Sequence, residues 1–339
     1  MISRAAVIGA GSWGTTVAAI LAQNVPTILW ARRNELAADI DDKRENAKYL
    51  PGVHLPDTLT VTSHIEPTCS DVDAIVLGVP SHGLRAVLAE AKPFISPDMP
   101  IVSLAKGIEQ GSLLRMTEVV LDVLTDHNPD RVGVLTGPNL AREVAAGQPT
   151  ASVVAVKDPT VAEELQRVFF GVTFRVYTNP DVVGCEMAGA LKNVIAIGAG
   201  VADGLGYGDN TKAALMTRGL AELARLGVAL GGDPLTFAGL AGMGDLIATC
   251  SSPQSRNRHV GVELGRGRTL DDIVAEMNMV AEGVKSTEAV IAIAARAGVE
   301  MPLASFVGRV LYEGAHPADL VPELMLRKAK PELDGMRRA

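Results

Sequence analysis

The feature that most constrains this chain is Gly9-Ala10-Gly11-Ser12-Trp13-Gly14. It stands directly after the apolar run Ala5-Ala6-Val7-Ile8 and opens the helical stretch 15–22. GxGxxG alone is a weak signal. Ile197-Gly198-Ala199-Gly200 repeats its opening, but has Asp203 where the third glycine would stand and lies inside a helical pattern. Only the first copy follows a strand and begins a helix. There, one glycine makes the tight turn, the second lets the backbone approach a pyrophosphate, and the third packs helix on strand. The helix's first amides then face the phosphates. The bland alternative is a plain glycine turn. Thr15 stands where a Walker loop would need lysine, so that loop is excluded.

The rest of the first half alternates. Strand-like runs occur at 5–8, 27–31, 74–79, 101–104, 132–136, 152–156 and 174–177. Helical patterns at 12–23, 35–46, 82–92, 113–124 and 160–169 fall between most of them. Nearly continuous apolar strands alternating with helices predict a parallel sheet covered on both faces. Right-handed crossovers make it an α/β, Rossmann-type doubly wound sheet. After Asn179-Pro180 the strand runs stop. Helical periods follow at 182–202, 210–230, 235–242, 270–276, 285–297 and 303–312. The expected organisation is an NAD(P)-binding domain over 1–185 and an all-helical substrate and catalytic domain over 186–339.

Composition narrows the function. The formal net charge is −8 over 339 residues, which argues against broad nucleic-acid binding while permitting a small basic pocket. Cys69, Cys185 and Cys250 are widely spaced with no CxxC, as expected of a reducing compartment without a zinc knuckle. The six histidines form no close pair, so no protein-bound metal is expected. The segment 5–23 is too rich in glycine and hydroxyl residues for a secretory core. No stretch reaches the roughly 20 apolar residues of a bilayer span. A cytoplasmic protein without stable membrane insertion is expected.

Four places carry candidate chemistry. The second strand ends Leu29-Trp30-Ala31-Arg32-Arg33, where an NAD-specific site would place an acid for the ribose 2′-hydroxyl. Two arginines favour a 2′-phosphate, hence NADP(H), with NAD(H) also usable; the alternative is a solvated arginine or one stacked on adenine. Lys192 is the one ionisable side chain between Glu186 and Asp203, in an apolar helix with no acid on its helical face. Desolvation should lower its pKa and fit it for acid/base work or Schiff-base chemistry, unless it snorkels at a domain surface. Gln254-Ser255-Arg256-Asn257-Arg258 supplies hydroxyl, guanidinium and amide donors suited to a phosphate, or is a polar loop. Asp245 could bond a substrate hydroxyl, orient Lys192, or cap a helix. Lys106, and Gly137 with Asn139, follow two strands at the sheet edge where ligands bind. Their bland readings are a surface lysine and a glycine turn before a Pro-started helix.

In order, the chain shows Gly9–Gly14, Ser103-Leu104-Ala105-Lys106-Gly107, Thr136-Gly137-Pro138-Asn139-Leu140-Ala141 and Ala190-Leu191-Lys192-Asn193-Val194-Ile195-Ala196. Gly242-Met243-Gly244-Asp245-Leu246, Gln254-Ser255-Arg256-Asn257, Ala281-Glu282-Gly283 and Gly298-Val299-Glu300-Met301-Pro302 follow. Across about residues 5–325 this closely resembles the prokaryotic-type NAD(P)-dependent glycerol-3-phosphate dehydrogenases. The resemblance implies a 6-phosphogluconate dehydrogenase-like architecture. It also implies reversible hydride transfer between NAD(P)H and dihydroxyacetone phosphate, whose product sn-glycerol 3-phosphate feeds phospholipid synthesis. By matching positions, Lys192 is the acid/base. Lys106, Gly137, Asn139, Asp245, Ser255, Arg256 and Asn257 line the substrate site. Ser12, Trp13, Arg32, Arg33, Lys106, Ala141, Arg256, Val280 and Glu282 fall on cofactor positions, beside Gly9, Gly11 and Gly14. The family commonly has Ser or Thr where Asn139 stands, and Asn can still donate. A homodimer is the expected assembly. The rival readings are a ketopantoate-type reductase, which needs no phosphate clamp, a Schiff-base aldolase, and a nucleotide sensor without chemistry.

Overall fold

The computed structural model describes residues 1–277, 281–329 and 331–332. It divides into two compact units: residues 1–105 with 114–182, and residues 106–113 with the chain from 183 onward.

The first unit is built on one sheet. Its strands are β1 (Ala5–Ile8), β2 (Thr27–Trp30), β3 (Leu59–Thr62), β4 (Ala74–Leu77), β5 (Ile101–Ser103), β6 (Val132–Thr136), β7 (Thr150–Ala155) and β8 (Phe174–Asn179). Their order is β3-β2-β1-β4-β5-β6-β7-β8. The helices are α1 (Ser12–Leu21), α2 (Asn34–Lys43), α3 (Ile65–Cys69), α4 (Leu84–Ala91), α5 (Met116–Val123), α6 (Ala141–Ala145) and α7 (Pro159–Phe169). β1 and β4 are buried at every residue. Alternate side chains serve two cores. Ala5, Val7, Ala74 and Val76 join one apolar cluster, while Ala6, Ile8, Ile75 and Leu77 join the other. That is why these strands read as unbroken apolar runs. The order reverses between β1 and β4, the switch point outside which such sheets bind ligands.

Among the differences from expectation, three bear on the sheet and its first helices. β3 is an added strand, short, with Thr60 exposed, so its apolar signal is only two residues, Leu59 and Val61. β7 runs antiparallel to β6, with Thr136 opposite Val153 and Val134 opposite Ala155. The link between them holds only the five-residue α6. At 1.5 Å per residue that helix spans about 8 Å, too little to carry the chain back along a strand of roughly 16 Å. β7 therefore starts at the end where β6 stops. Finally, α2 ends at Lys43 rather than near residue 46, because Arg44 adopts a left-handed conformation at φ 52° and turns the chain.

The second unit is helical: α8 (Val182–Gly204), α9 (Asp209–Ala229), α10 (Pro234–Ala238), α11 (Asp245–Ser251), α12 (Arg256–Gly265), α13 (Leu270–Glu276), α14 (Glu282–Arg296), α15 (Pro302–Tyr312) and α16 (Pro317–Met325). α11, α12 and α16 lie outside the helical periods read from the sequence. α8 is long and apolar enough to cross a bilayer by length and composition, contrary to the sequence reading, yet 94% of its apolar window is buried inside the protein. It is a core helix. The decoy glycine repeat belongs to this packing. A Cβ on Gly200 would stand 2.0 Å from the Arg258 carbonyl oxygen, and one on Gly261 would stand 2.0 Å from that of Ile197. The glycines let α8 and α12 touch backbone to backbone.

Candidate active site

In the first unit, β1 delivers the chain into the glycine turn. Gly9 has φ +123°, and a Cβ there would lie 2.7 Å from Gly78, which follows β4. A Cβ on Gly14 would lie 2.0 Å from the Gly9 carbonyl oxygen, whereas one on Gly11 would meet nothing within 4 Å. The outer glycines serve the turn's own packing, and the middle one keeps an open face. Gly11 caps α1 without a side-chain hydrogen bond, so the first amides of α1, from Ser12 onward, suit an anion. The Trp13 ring packs edge-on against Phe174, with centroids 6.2 Å apart, and its buried Nε1 has no hydrogen-bond partner among the described residues. Arg32 and Arg33 follow β2 and are exposed, with Arg33 Nη2 3.3 Å from the Tyr49 hydroxyl. Ala141 opens α6, and its carbonyl oxygen lies 3.4 Å from Thr16 Oγ1. These groups fit a nicotinamide dinucleotide: an open backbone turn for the pyrophosphate and cations beyond β2 for the ribose. In the same unit, Gly137 has φ +126° and Asn139 is buried, with Nδ2 3.5 Å from Ser152 Oγ.

In the second unit three charged side chains meet. Lys192, midway along α8, places Nζ 2.5 Å from Asp245 Oδ1. Lys106 places its own Nζ 2.7 Å from Asp245 Oδ2. Asp245 opens α11 directly after a π turn at Leu240–Gly244, and a carboxylate is favoured at a helix N-terminus. All three are largely withdrawn from water. Burial works to raise the Asp245 carboxyl, but the ammonium groups of Lys106 and Lys192 outweigh it and hold it below the ordinary 3.8. Burial pushes Lys106 down to about 8, against the pull of Asp245 and helped by repulsion from Lys192. Lys192 also donates to Thr249 Oγ1 at 2.6 Å, and that hydroxyl donates to the Asp245 carbonyl at 2.7 Å.

A run of amides supports the cluster. The Gly283 N–H donates to Asn257 Oδ1 at 2.9 Å, Asn257 Nδ2 to Asn193 Oδ1 at 2.9 Å, and Asn193 Nδ2 to the Lys106 carbonyl at 2.9 Å. Ser255 caps α12, its hydroxyl oxygen accepting from Arg258 N at 3.2 Å and its proton left to donate. Arg256 begins that helix; burial pushes its guanidinium below the ordinary value, opposed by the Glu282 carboxylate.

The second unit thus gathers Lys106, Lys192 and Asp245 and ties Asn257 to them, with Ser255, Arg256 and Glu282 in the same unit. Gly9, Gly11, Ser12, Trp13, Gly14, Arg32, Arg33, Gly137, Asn139 and Ala141 belong to the first unit. Val280 lies outside the described residues. Sequence reasoning missed Thr249 and Asn193. Their signals are slight: Thr249 is one helical turn beyond Asp245, and Asn193 is next to Lys192. Among the described residues no cluster of three or more His, Cys, Asp or Glu could hold a metal.

Comparison with known proteins agrees with this geometry. The family model described as the NAD-dependent glycerol-3-phosphate dehydrogenase N-terminus matches residues 4–162, and that of the C-terminus matches 181–322. The chain is 58% identical over 298 residues to glycerol-3-phosphate dehydrogenase (NAD(P)+) 2 of Sphingopyxis alaskensis, covering 88% of this chain and 89% of the relative. It is 53% identical over 330 residues to the glycerol-3-phosphate dehydrogenase (NAD(P)+) of Streptomyces coelicolor, covering 97% and 98%. The crystal structure of glycerol-3-phosphate dehydrogenase from Coxiella burnetii superposes with a TM-score of 0.91 at 38% identity, covering 96% of this chain and 99% of that one. With an open dinucleotide turn in one unit and a buried Lys–Asp–Lys cluster in the other, this chain belongs to the NAD-dependent glycerol-3-phosphate dehydrogenase family.

Proposed function

We propose that this dehydrogenase reversibly reduces dihydroxyacetone phosphate to sn-glycerol 3-phosphate for phospholipid synthesis, with Lys192 as general acid/base. The observation that carries the reading is the Lys192–Asp245 contact at 2.5 Å in a buried site. Bound NAD(P)H supplies the hydride. Lys192 Nζ gives a proton to the carbonyl oxygen as that oxygen becomes an alkoxide, and takes it back in the oxidative direction. Asp245 and Thr249 fix the direction of that ammonium. With both lysines protonated, two cations share one carboxylate, so the cluster carries a surplus positive charge where negative charge develops. Arg256, the Ser255 hydroxyl and the N-terminal amides of α12 receive the phosphate dianion. The free proton of Asn257 Nδ2 adds a further donor, while Gly137 and Asn139 contribute backbone and amide bonds to the substrate.

The same reading assigns the cofactor to Gly9–Gly14, Arg32, Arg33, Lys106, Ala141, Arg256, Val280 and Glu282, with NADPH preferred over NADH. Two exposed arginines after β2 support that preference. Cys69, Cys185 and Cys250 are buried thiols outside any disulfide, which supports a reducing, cytoplasmic setting.

The test follows absorbance at 340 nm with dihydroxyacetone phosphate and either NADPH or NADH. Oxidation of NADPH, with a weaker NADH rate, is the expected result. Turnover with ketopantoate but not dihydroxyacetone phosphate would transfer the chain to the ketopantoate-type reading. Equal rates with the two cofactors would remove the role given to Arg32 and Arg33.

A further inference from the structure

Beyond α2, a tight turn is pinned to the glycine-rich loop by one buried side chain. Asn46 is fully buried. Its Nδ2 donates to the Ala10 carbonyl at 3.0 Å and to Thr15 Oγ1 at 2.8 Å, both in or next to the dinucleotide turn. Its Oδ1 accepts from Tyr49 N at 3.3 Å, and its backbone carbonyl accepts from Leu50 N at 2.8 Å. An amide this deep persists where its polar atoms are matched. Leu50, also buried, anchors the other end of the turn.

Between these anchors the turn presents an exposed Lys48 and a half-buried Tyr49. The Tyr49 hydroxyl lies 3.3 Å from Arg33 Nη2, and Lys48 Nζ stands 5.6 Å from the Tyr49 ring centroid. The neighbouring carboxylate, Glu45, is engaged by the Gly52 N–H at 2.8 Å. Among the described residues neither Arg33 nor Lys48 forms an ion pair. Two cations and a hydroxyl are held together with no carboxylate between them, an arrangement suited to an anion.

We propose that Asn46 positions a second wall of the cofactor's ribose site, so that Lys48 and the Tyr49 hydroxyl join Arg33 in receiving a 2′-phosphate monoester. The inference rests on the reading that NADPH is the preferred cofactor. It adds residues from a turn that the glycine motif and the β2 terminus do not include.

The test is equilibrium binding by titration calorimetry, without substrate, of NADPH, NADH and 2′,5′-ADP. The proteins are the wild type, Lys48→Gln/Tyr49→Phe, Arg32→Gln/Arg33→Gln and Asn46→Ala. Losing a charged and a neutral contact to phosphate should weaken NADPH and 2′,5′-ADP about tenfold in Lys48→Gln/Tyr49→Phe. NADH should change by less than about twofold. Asn46→Ala should lower the same NADPH-to-NADH preference. Because Lys48 is exposed and Tyr49 half-buried, their double variant keeps the test independent of any folding defect in Asn46→Ala. If that double variant keeps the wild-type preference while Arg32→Gln/Arg33→Gln abolishes it, the second wall is wrong and the NADPH reading stands. If the wild type shows no preference, the NADPH reading fails and takes the proposal with it; if the wild type prefers NADPH and neither double variant changes that, the 2′-phosphate is read elsewhere and the second wall is wrong.

Discussion

Lys192 and Asp245 are 53 residues apart in the chain, yet their side chains meet at 2.5 Å in a site where each is more than nine-tenths buried. Neither helix holds its charge alone. α8 carries a lone ammonium in an apolar stretch, and α11 carries a carboxylate followed by an apolar run. Removing one member of a buried pair typically costs about 3–5 kcal/mol, because the other charge is left stranded. Here Lys106 shares the carboxylate, so Asp245→Asn would leave two neighbouring ammonium groups unscreened. We expect that variant to lose more than about a hundredfold in kcat and to melt several degrees lower. A thermal scan and a steady-state assay decide it, and an unchanged kcat would remove Asp245 from the site.

For Lys192, the expected signature separates binding from chemistry. Lys192→Ala should bind cofactor and substrate within a few-fold of the wild type while kcat falls by about 10² to 10⁴. Near-normal turnover in a variant that binds both ligands would end the acid/base assignment. A Schiff-base role would instead appear as borohydride trapping of substrate on the wild type alone.

What could be read in advance follows from the range of the interactions. β1 and β6 are visible residue for residue, because a strand buried on both faces leaves an unbroken apolar run. β3 has only Leu59 and Val61 as apolar marks and escapes notice. The α12 terminus reads as a polar loop, since Arg256, Asn257, Arg258 and His259 in its first turn give no apolar period. Lys192 stands out as a local anomaly, a charge in an apolar helix. Its contact with Asp245 is tertiary and has no local mark, and the same holds for the contacts of Asn46 with Ala10 and Thr15, while Asn193 and Thr249 are marked only by their places beside Lys192 and one turn beyond Asp245. The antiparallel β7 needs the length of α6, which is beyond a pattern search.

Close backbone contact between α8 and α12 gives a prediction with little dependence on chemistry. Gly200→Ala would place a methyl 2.0 Å from the Arg258 carbonyl oxygen, against backbone rather than a yielding side chain. Overpacking of this kind costs about 1–3 kcal/mol or more. The urea midpoint should fall accordingly. Gly206→Ala would meet nothing within 4 Å, but its φ of +79° makes it a strained rather than neutral control. Gly208→Ala meets open space without that strain, so its cost should be limited to the loss of glycine at the N-cap of α9, about 1 kcal/mol or less, and its midpoint should fall less than that of Gly200→Ala.

Lys106 should give substrate affinity a pH dependence. Its folded pKa is about 8, below the ordinary 10.5, with burial as the main cause. The side chain is therefore charged below about pH 8 and loses its proton above it. KM for dihydroxyacetone phosphate should rise as pH passes through about 8, with kcat less affected. Lys106→Gln should raise KM at neutral pH and flatten that rise. A wild-type KM that stays level from pH 7 to 9 would show that the Lys106 proton does not govern substrate binding in that range.

Glu222 should set a stability slope in a window below that one. It is buried on α9, and its carboxylate accepts from the Leu303 N–H at 2.8 Å and the Ala304 N–H at 3.3 Å, capping α15. Burial pushes its carboxyl up to about 7 from 4.5, opposed by those two amides and by Arg225 and Arg327. Between these values the folded chain holds a proton that the unfolded chain has released. Folding stability is then highest below about pH 4.5 as far as this group is concerned, and falls as pH rises toward 7. The total is on the order of 3 kcal/mol. Glu222→Gln keeps an oxygen for the α15 amides and removes the charge. Its urea midpoint should exceed that of the wild type at pH 8, and the two should converge near pH 5. Parallel midpoints across that range would mean that Glu222 is already ionised in the folded protein at pH 5, with α15 capped by a carboxylate throughout.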